Sequence, residues 1–257
     1  MYNPVISVVT VCYNAVKVIE DTILSVLNQT YKNIEYIIID GASSDGTVEL
    51  LNRYSSRFSY MVSEKDKGIY DAMNKAIDIA KGEWILFLNA GDVFANDKAL
   101  FDVFQTDGLH KYSVIYGDTI MKASWGNFIV KGEFFSSNDA HLPFCHQSAL
   151  AKTVLMQQYK FDLRYKIVAD YNFFYNLYSL GHQFFHVDNL ISVYDTEGFS
   201  AQRVLEAYKE VATINGTVHS FKYYKNLSVL YIRKLMLEIL PNRFINHIRK
   251  NRRETIA

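Results

Sequence analysis

Apolar and polar positions along the first hundred residues alternate between two periods. Residues 5–11 form an almost unbroken β-branched run, the pattern of a strand buried on both faces, and Val16, Ile19, Ile23 and Leu27 follow at helical spacing. Residues 34–39 predict a second buried strand. It ends at the turn-rich segment 40–46, where Asp45 is placed to cap a helix over about 46–54. Residues 58–62 predict a short third strand. Ile69, Met73, Ala76, Ile77 and Ala80 then share one helical face, Lys81-Gly82 closes that helix, and residues 84–88 form the next strand. The order β-α-β-α-β-α-β predicts an α/β fold: a mainly parallel, Rossmann-like sheet with helices on both faces, whose ligands bind beyond the carboxyl ends of the strands.

Beyond Asp92 the pattern changes. Strands are predicted near 113–117 and 127–130, an apolar helix near 149–157, a second helix over 169–180, and two further strands at 183–187 and 190–194. The last sixty or so residues predict helices over about 200–213 and 223–240, with Pro241 as a break. These signals divide the chain into a main domain over 1–220 and a helical appendage over 221–257.

Composition fits this picture. Of 257 residues, 49% are hydrophobic and 15% aromatic, with only three prolines, which excludes a largely disordered chain and supports one sizeable core. No stretch approaches the roughly 18 to 20 uninterrupted apolar residues that span a bilayer, and no basic-then-apolar segment opens the sequence, so the expected location is the cytoplasm. Cys12 and Cys145 lie in apolar segments without metal-ligand or redox spacing and are expected to be buried thiols.

The formal net charge of zero hides a marked asymmetry. From Arg233 to Ala257, seven Lys/Arg stand against Glu238 and Glu254, a net of +5, so the rest of the chain carries −5. Leu235, Met236, Ile239 and Leu240 form an apolar stripe that Phe244, Ile245 and Ile248 continue beyond Pro241, with Arg243, Arg249, Lys250, Arg252 and Arg253 beside it. This is the composition of an interfacial helix on an anionic membrane surface, or of a packed helix with a solvated basic end.

Carboxylates recur where ligands of such a sheet collect. Asp40, Asp66 and Asp92 each follow an apolar run. One alone is a common helix cap, but three together suit a cation-bound polyphosphate or sugar hydroxyls. Asn89-Ala90-Gly91-Asp92 directly follows the strand at 84–88 and sets an amide and a carboxylate at its mouth, oxygen ligands for one Mg²⁺ or Mn²⁺ shared with a diphosphate. A type I or II turn with Gly91 at its tight position fits the same four residues. Asp170 stands among Ile167, Val168, Tyr171, Phe173 and Phe174 at the start of a helix. Such surroundings raise a carboxylate's pKa toward the range of a general base, and a helix cap is the structural alternative. His146-Gln147 supplies the histidine best placed for a site, able to donate to a diphosphate or join a metal.

These residues resemble family 2 glycosyltransferases of GT-A fold. The resemblance is carried by Val9-Thr10-Val11-Cys12-Tyr13-Asn14, Asp40 with Asp45-Gly46-Thr47, Gly68 with Ala72 and Asn74, Gly82-Glu83-Trp84 and the 89–92 turn, in the family's order over residues 5–92. It continues more weakly through His146-Gln147-Ser148, Ala169-Asp170-Tyr171 and Gly198-Phe199-Ser200. It implies an inverting transfer from a nucleotide-sugar donor to a saccharide or lipid-linked acceptor, in the setting of bacterial surface polysaccharide. Thr10, Tyr13 and Asn14 would line the donor pocket, Asp40 would bind base or ribose, and Asp66, Gly68, Asn74 and Asn89 would lie near the nucleotide. Asp92 would face the divalent cation and Asp170 would deprotonate the acceptor. Two departures from the family pattern, Asp40-Gly41 in place of paired aspartates and a turn with one carboxylate, predict weak metal affinity in the free protein. A nucleotidyltransferase could use the same carboxylates, yet neither a Gly-x-x-x-x-Gly-Lys-Ser/Thr loop nor Gly-x-Gly-x-x-Gly is present. A non-catalytic carbohydrate binder would need the aromatics but not Asp92 or Asp170. No feature points to nucleic acid.

Overall fold

The computed structural model describes residues 2–134, 142–196 and 203–239. Its elements in chain order are β1 (Ile6–Cys12), α1 (Ile19–Leu27), β2 (Ile34–Asp40), α2 (Thr47–Arg53), β3 (Tyr60–Ser63), α3 (Ile69–Ile79), β4 (Trp84–Phe87), β5 (Val93–Phe94), α4 (Ala99–Val103), β6 (Val114–Ala123), β7 (Gly126–Val130), β8 (Ala149–Lys152), α5 (Thr153–Tyr159), α6 (Ala169–Ser179), β9 (Phe184–Asp195), α7 (Val204–Ile214) and α8 (Phe221–Ile239).

The nine strands among the described residues form one sheet of an α/β fold, in the order β3-β2-β1-β4-β8-β6-β9-β5, with β7 paired to β6. The first four strands run parallel, as the alternation of strand and helix requires, and β6 and β9 are also parallel. β8 enters antiparallel between β4 and β6. Every residue of β1 and β4 is buried, because helices cover both faces. On one face Val9, Val11, Ile37, Ile39, Ile85 and Phe87 pack beneath α3 and α6; on the other, Ile6, Val8, Ile38, Trp84 and Leu86 pack beneath α1 and α4. The alternation follows the two-residue period of a strand.

Three expectations change. Residues 149–152 are a strand rather than the start of a helix, and α5 begins only at Thr153. Their backbone completes the ladder between Trp84–Leu86 and Val114–Tyr116, so pairing overrides local propensity. The two strands expected at 183–187 and 190–194 are one, β9, whose pairing with β6 shifts register near Asp118. The strand expected at 113–117 runs on to Ala123.

The cap position of α2 is Gly46, at φ 100°, rather than Asp45, which stands one residue earlier; its carboxylate accepts from the Thr47 amide (3.1 Å) at the head of α2 and from the Val16 amide (3.1 Å), joining two loops. Near the other end of the chain, α7 packs on α6 and α8 on α7, where the Tyr208 and Tyr223 rings stack at 5.7 Å. The predicted segments 198–200 and 240–257 lie outside the described residues. No helix among the described residues is long and apolar enough to cross a membrane.

Candidate active site

The parallel strands β1, β2 and β4 end on the same edge of the sheet, and the loops beyond them carry most of the residues singled out from sequence. Two groups form there.

The first surrounds Gly41. The Tyr13 ring is largely exposed on the loop after β1, and half-buried Asp66 folds back from the loop after β3. A Cβ on residue 41 would stand 2.5 Å from Asp66 Oδ2 and 3.4 Å from the Tyr13 ring, so only glycine permits this approach. The second carboxylate of a paired motif is thus replaced by backbone that lets Asp66 in. Asp66 also accepts from the Gly68 amide at 2.8 Å, which fixes the start of α3.

Asp40 lies beneath this shelf, fully buried. Its oxygens accept from the Ser43 amide (2.9 Å), the Ser43 hydroxyl (2.5 Å) and the Ser63 hydroxyl (2.6 Å), so it braces the loops around Gly41. Asn14 acts similarly: its side chain accepts from the Ser44 amide at 2.9 Å, while its own amide donates to the Ser43 hydroxyl at 2.7 Å. Two expected pocket residues are engaged elsewhere. Thr10 is fully buried and donates to the Leu88 carbonyl at 2.8 Å, and the Asn74 amide donates to the Phe161 carbonyl (2.8 Å) and accepts from the Phe161 amide (2.9 Å). Both side chains hold backbone in place.

The second group lies at the mouth of β4, in a cavity of about 700 Å³. Residues 89–92 form the turn anticipated from sequence, with the Asp92 amide donating to the Asn89 carbonyl at 2.9 Å and Gly91 at φ 100°. That turn tucks the Asp92 side chain inward. Burial pushes its carboxyl up to about 7; His146 and a 3.2 Å hydrogen bond from Gln147 Nε2 work against the rise, and Asp195 adds to it.

Asp170 sits in the first turn of α6 and is largely buried. Oδ2 lies 3.0 Å from His146 Nδ1, while Oδ1 accepts from the Tyr171 amide (2.9 Å) and lies 3.0 Å from the Tyr70 hydroxyl, whose one proton is divided between it and the Ile167 carbonyl at 2.7 Å. The sequence expectation of a raised pKa is overturned here. Burial does favour the neutral acid, but His146 and the hydrogen bonds outweigh it and hold the carboxyl below its usual value. His146 moves the other way: burial disfavours its charge, and the facing Asp170 more than restores it, so its pKa is raised. On its far side, His146 Nε2 stands 3.4 Å from the Asn89 amide nitrogen.

Asp170 does not cap its helix either. No side-chain hydrogen bond caps α6; Glu210 of α7 instead braces the segment just before it, its carboxylate accepting from three successive amides, Lys166 (2.9 Å), Ile167 (3.0 Å) and Val168 (3.1 Å). Sequence reasoning missed Glu210, Tyr70 and Asp195. Tyr70, two residues after Gly68, was the one with a local signal.

Whether this group suits a divalent cation is a question about its oxygens. The buried Asn89 Oδ1 has no hydrogen-bond partner, and Asp92 is a desolvated carboxylate whose charge a cation would favour. These are hard oxygen ligands for Mg²⁺ or Mn²⁺. No cluster of three His, Cys, Asp or Glu among the described residues could hold an ion unaided, so the set fits an ion completed by ligand oxygens.

Known proteins resemble the chain in sequence and in fold. Residues 7–167 match the family model described as "Glycosyl transferase family 2". The "PGL/p-HBAD biosynthesis glycosyltransferase" of Mycobacterium bovis is 30% identical over 181 residues, 67% of this chain and 69% of that protein. Among solved structures, TarS 1-349 of S. aureus in complex with UDP aligns with TM-score 0.63 at 20% identity, over 81% of this chain; the alignment spans 64% of TarS 1-349, less than two thirds. The mannosyltransferase PcManGT of Pyrobaculum calidifontis, in complex with GDP-Man and Mn²⁺, aligns with TM-score 0.62 at 14% identity over 91% of this chain and 81% of its own. The likeness bears out the GT-A fold expected from sequence.

Proposed function

Because the chain belongs to glycosyl transferase family 2, we propose that it transfers a sugar from a nucleoside-diphosphate sugar to an acceptor hydroxyl in the assembly of a surface polysaccharide or glycolipid, with inversion at the anomeric carbon. The observation that carries this reading is the juxtaposition of the Asp92–Gln147 pair and the Tyr70–Asp170–His146–Asn89 chain in one cavity at the strand ends.

The exposed Tyr13 ring and Asp66 flank the Gly41 backbone where a nucleoside would lie, with Asp40 and Asn14 bracing that shelf. Asn89 and Asp92 would hold a divalent cation together with the diphosphate; when bound, the cation neutralises charge on the departing nucleoside diphosphate. Asp170 is the base. A carboxylate has roughly four acceptor sites; the Tyr171 amide and His146 take two, and the Tyr70 hydroxyl, divided with the Ile167 carbonyl, approaches a third, which leaves room for the acceptor hydroxyl. That hydroxyl gives its proton to Asp170 as its oxygen attacks the anomeric carbon from the face opposite the leaving group; one such displacement inverts the configuration. His146 and Tyr70 orient the carboxylate and keep it ionised, so it is ready to accept at neutral pH.

On the same reading, α8 and the basic segment after it rest on an anionic membrane surface. Phe221, Tyr224, Ile232, Leu235 and Met236 are exposed on α8, flanked by Lys222 and Lys225.

A screen of UDP- and GDP-sugars, with and without Mn²⁺, tests the central claim by thermal stabilisation and donor hydrolysis. At least one nucleotide sugar should stabilise the chain, and more strongly with Mn²⁺. A chain that none of them stabilises would not be a nucleotide-sugar enzyme.

A further inference from the structure

The cavity at Asp170 has two unlike walls. Asn89, Asp92, His146 and Asp170 line one side, whereas the residues supplied by α7 and α8, Val204, Ala207, Tyr208, Val211 and Leu230, bring no charge. Phe144 and Met121 continue that apolar lining on the sheet side. A site built only for a polar oligosaccharide would meet its hydroxyls with carboxylates, amides and guanidinium groups. Here the charged side chains of the lining, Lys166 and Asp195 included, all come from outside α7 and α8, whose share is uncharged. Val211 and Phe144 are buried in the core, whereas Val204, Ala207, Tyr208 and Leu230 remain at least partly exposed beside the cavity, whose volume is characteristic of sites that enclose a whole small ligand.

We propose that this wall binds an apolar aglycone: the acceptor is amphiphilic, with its hydroxyl at Asp170 and an aromatic or aliphatic group against α7 and α8. This specifies the acceptor of the transferase reading above and rests on it. Of the two helices that make the wall, α8 belongs to the appendage, and it places Leu230 toward the cavity while its other face exposes Ile232 and Met236. An amphiphile partitioned into a surface would thus meet the wall from α8. Each methylene moved from water into such a lining tightens binding roughly fourfold.

The test uses the full chain and methyl, phenyl and n-octyl β-glucosides below micelle concentration, titrated by calorimetry, with nucleotide and Mn²⁺ binding measured on the same samples. The phenyl and octyl compounds should bind at least tenfold more tightly than the methyl compound. Ala207→Trp, which fills the cavity, and Val204→Glu, at a position already exposed, should each remove most of that preference. Equal affinity for the three glycosides, or an unchanged preference in both variants, would overturn the proposal. Nucleotide binding without aglycone preference would leave the transferase reading intact, whereas aglycone preference without any nucleotide binding would count against that reading alone.

Discussion

His146 Nδ1 lies 3.0 Å from Asp170 Oδ2, and each group shifts the other's titration toward the charged state. Burial alone would neutralise both. Together they form an ion pair whose two protonation steps belong to the pair. Replacing Asp170 by Asn therefore has two expected outcomes. Donor binding persists while kcat falls about 10²- to 10⁴-fold, the range for loss of a general base. His146, left with burial as its main influence, should titrate lower than in the wild type. Steady-state kinetics and NMR titration of the imidazole measure the two effects; near-normal turnover in Asp170→Asn would remove that residue from the mechanism.

Asp92 predicts the pH dependence. With its carboxyl pushed up to about 7 by burial, the cation-binding ionised form is lost as pH falls through 7. Mn²⁺-dependent nucleotide binding should weaken toward pH 6, and saturating Mn²⁺ should displace the transition to lower pH. The stability consequence has the opposite sense. Between the ordinary carboxyl pKa and 7 the folded state retains a proton that the unfolded state has released, so this group's contribution to metal-free stability declines as pH rises across that interval. Asp92→Asn should then stabilise the metal-free protein at pH 8, by on the order of 1–3 kcal/mol, while abolishing transfer and the Mn²⁺ effect. Thermal melts of both forms at pH 5 and pH 8 decide it. Diphosphate affinity that still rises with Mn²⁺ in the variant would exclude Asp92 as a ligand.

Glu210 positions the base without touching it. Its three accepted hydrogen bonds fix residues 166–168, immediately before α6. Gln at 210 keeps the shape but loses the charge and turns an NH₂ group toward amide donors. A destabilisation of about 2 kcal/mol follows from hydrogen bonds to a charged acceptor, with kcat falling more than donor affinity. A melt together with a kcat-against-KM comparison separates this from simple loss of fold. Unchanged kcat in a destabilised Glu210→Gln would assign the residue to stability alone.

The parallel half of the sheet was legible in sequence because runs such as Val5–Val11 and the helical stripe from Ile69 to Ala80 have one physical explanation each. Residues 149–152 did not: a short apolar run ahead of good helix formers suits strand or helix equally, and the gap between β4 and β6 decided it. The site divided along the same line. Strand-end carboxylates were visible, as was the turn that carries Asp92. The sign of the Asp170 shift was not, since its neighbouring side chains are apolar and the group that does most to reverse the shift, His146, is far away in the chain. Thr10 and Asn74 illustrate the converse: motif residues whose side chains are seen holding backbone, a role the sequence does not reveal.

The apolar face of α8 yields the last prediction. Phe221, Tyr224, Ile232, Leu235 and Met236 remain in water on a helix whose other side packs on α7, and the seven Lys/Arg from residue 233 onward follow or overlap it. Exposed apolar side chains beside basic ones are stabilised together at an anionic lipid surface, each basic group contributing about 1 kcal/mol there. The full-length chain should co-sediment with vesicles containing anionic lipid more than with neutral ones, and less as salt is raised, because the electrostatic part is screened. A chain ending at Leu240 loses Arg243, Arg249, Lys250, Arg252 and Arg253 but retains α8, so it should bind more weakly and with a shallower salt dependence. Equal sedimentation of the two chains, or binding indifferent to salt, would leave α8 as a packed helix with no lipid surface.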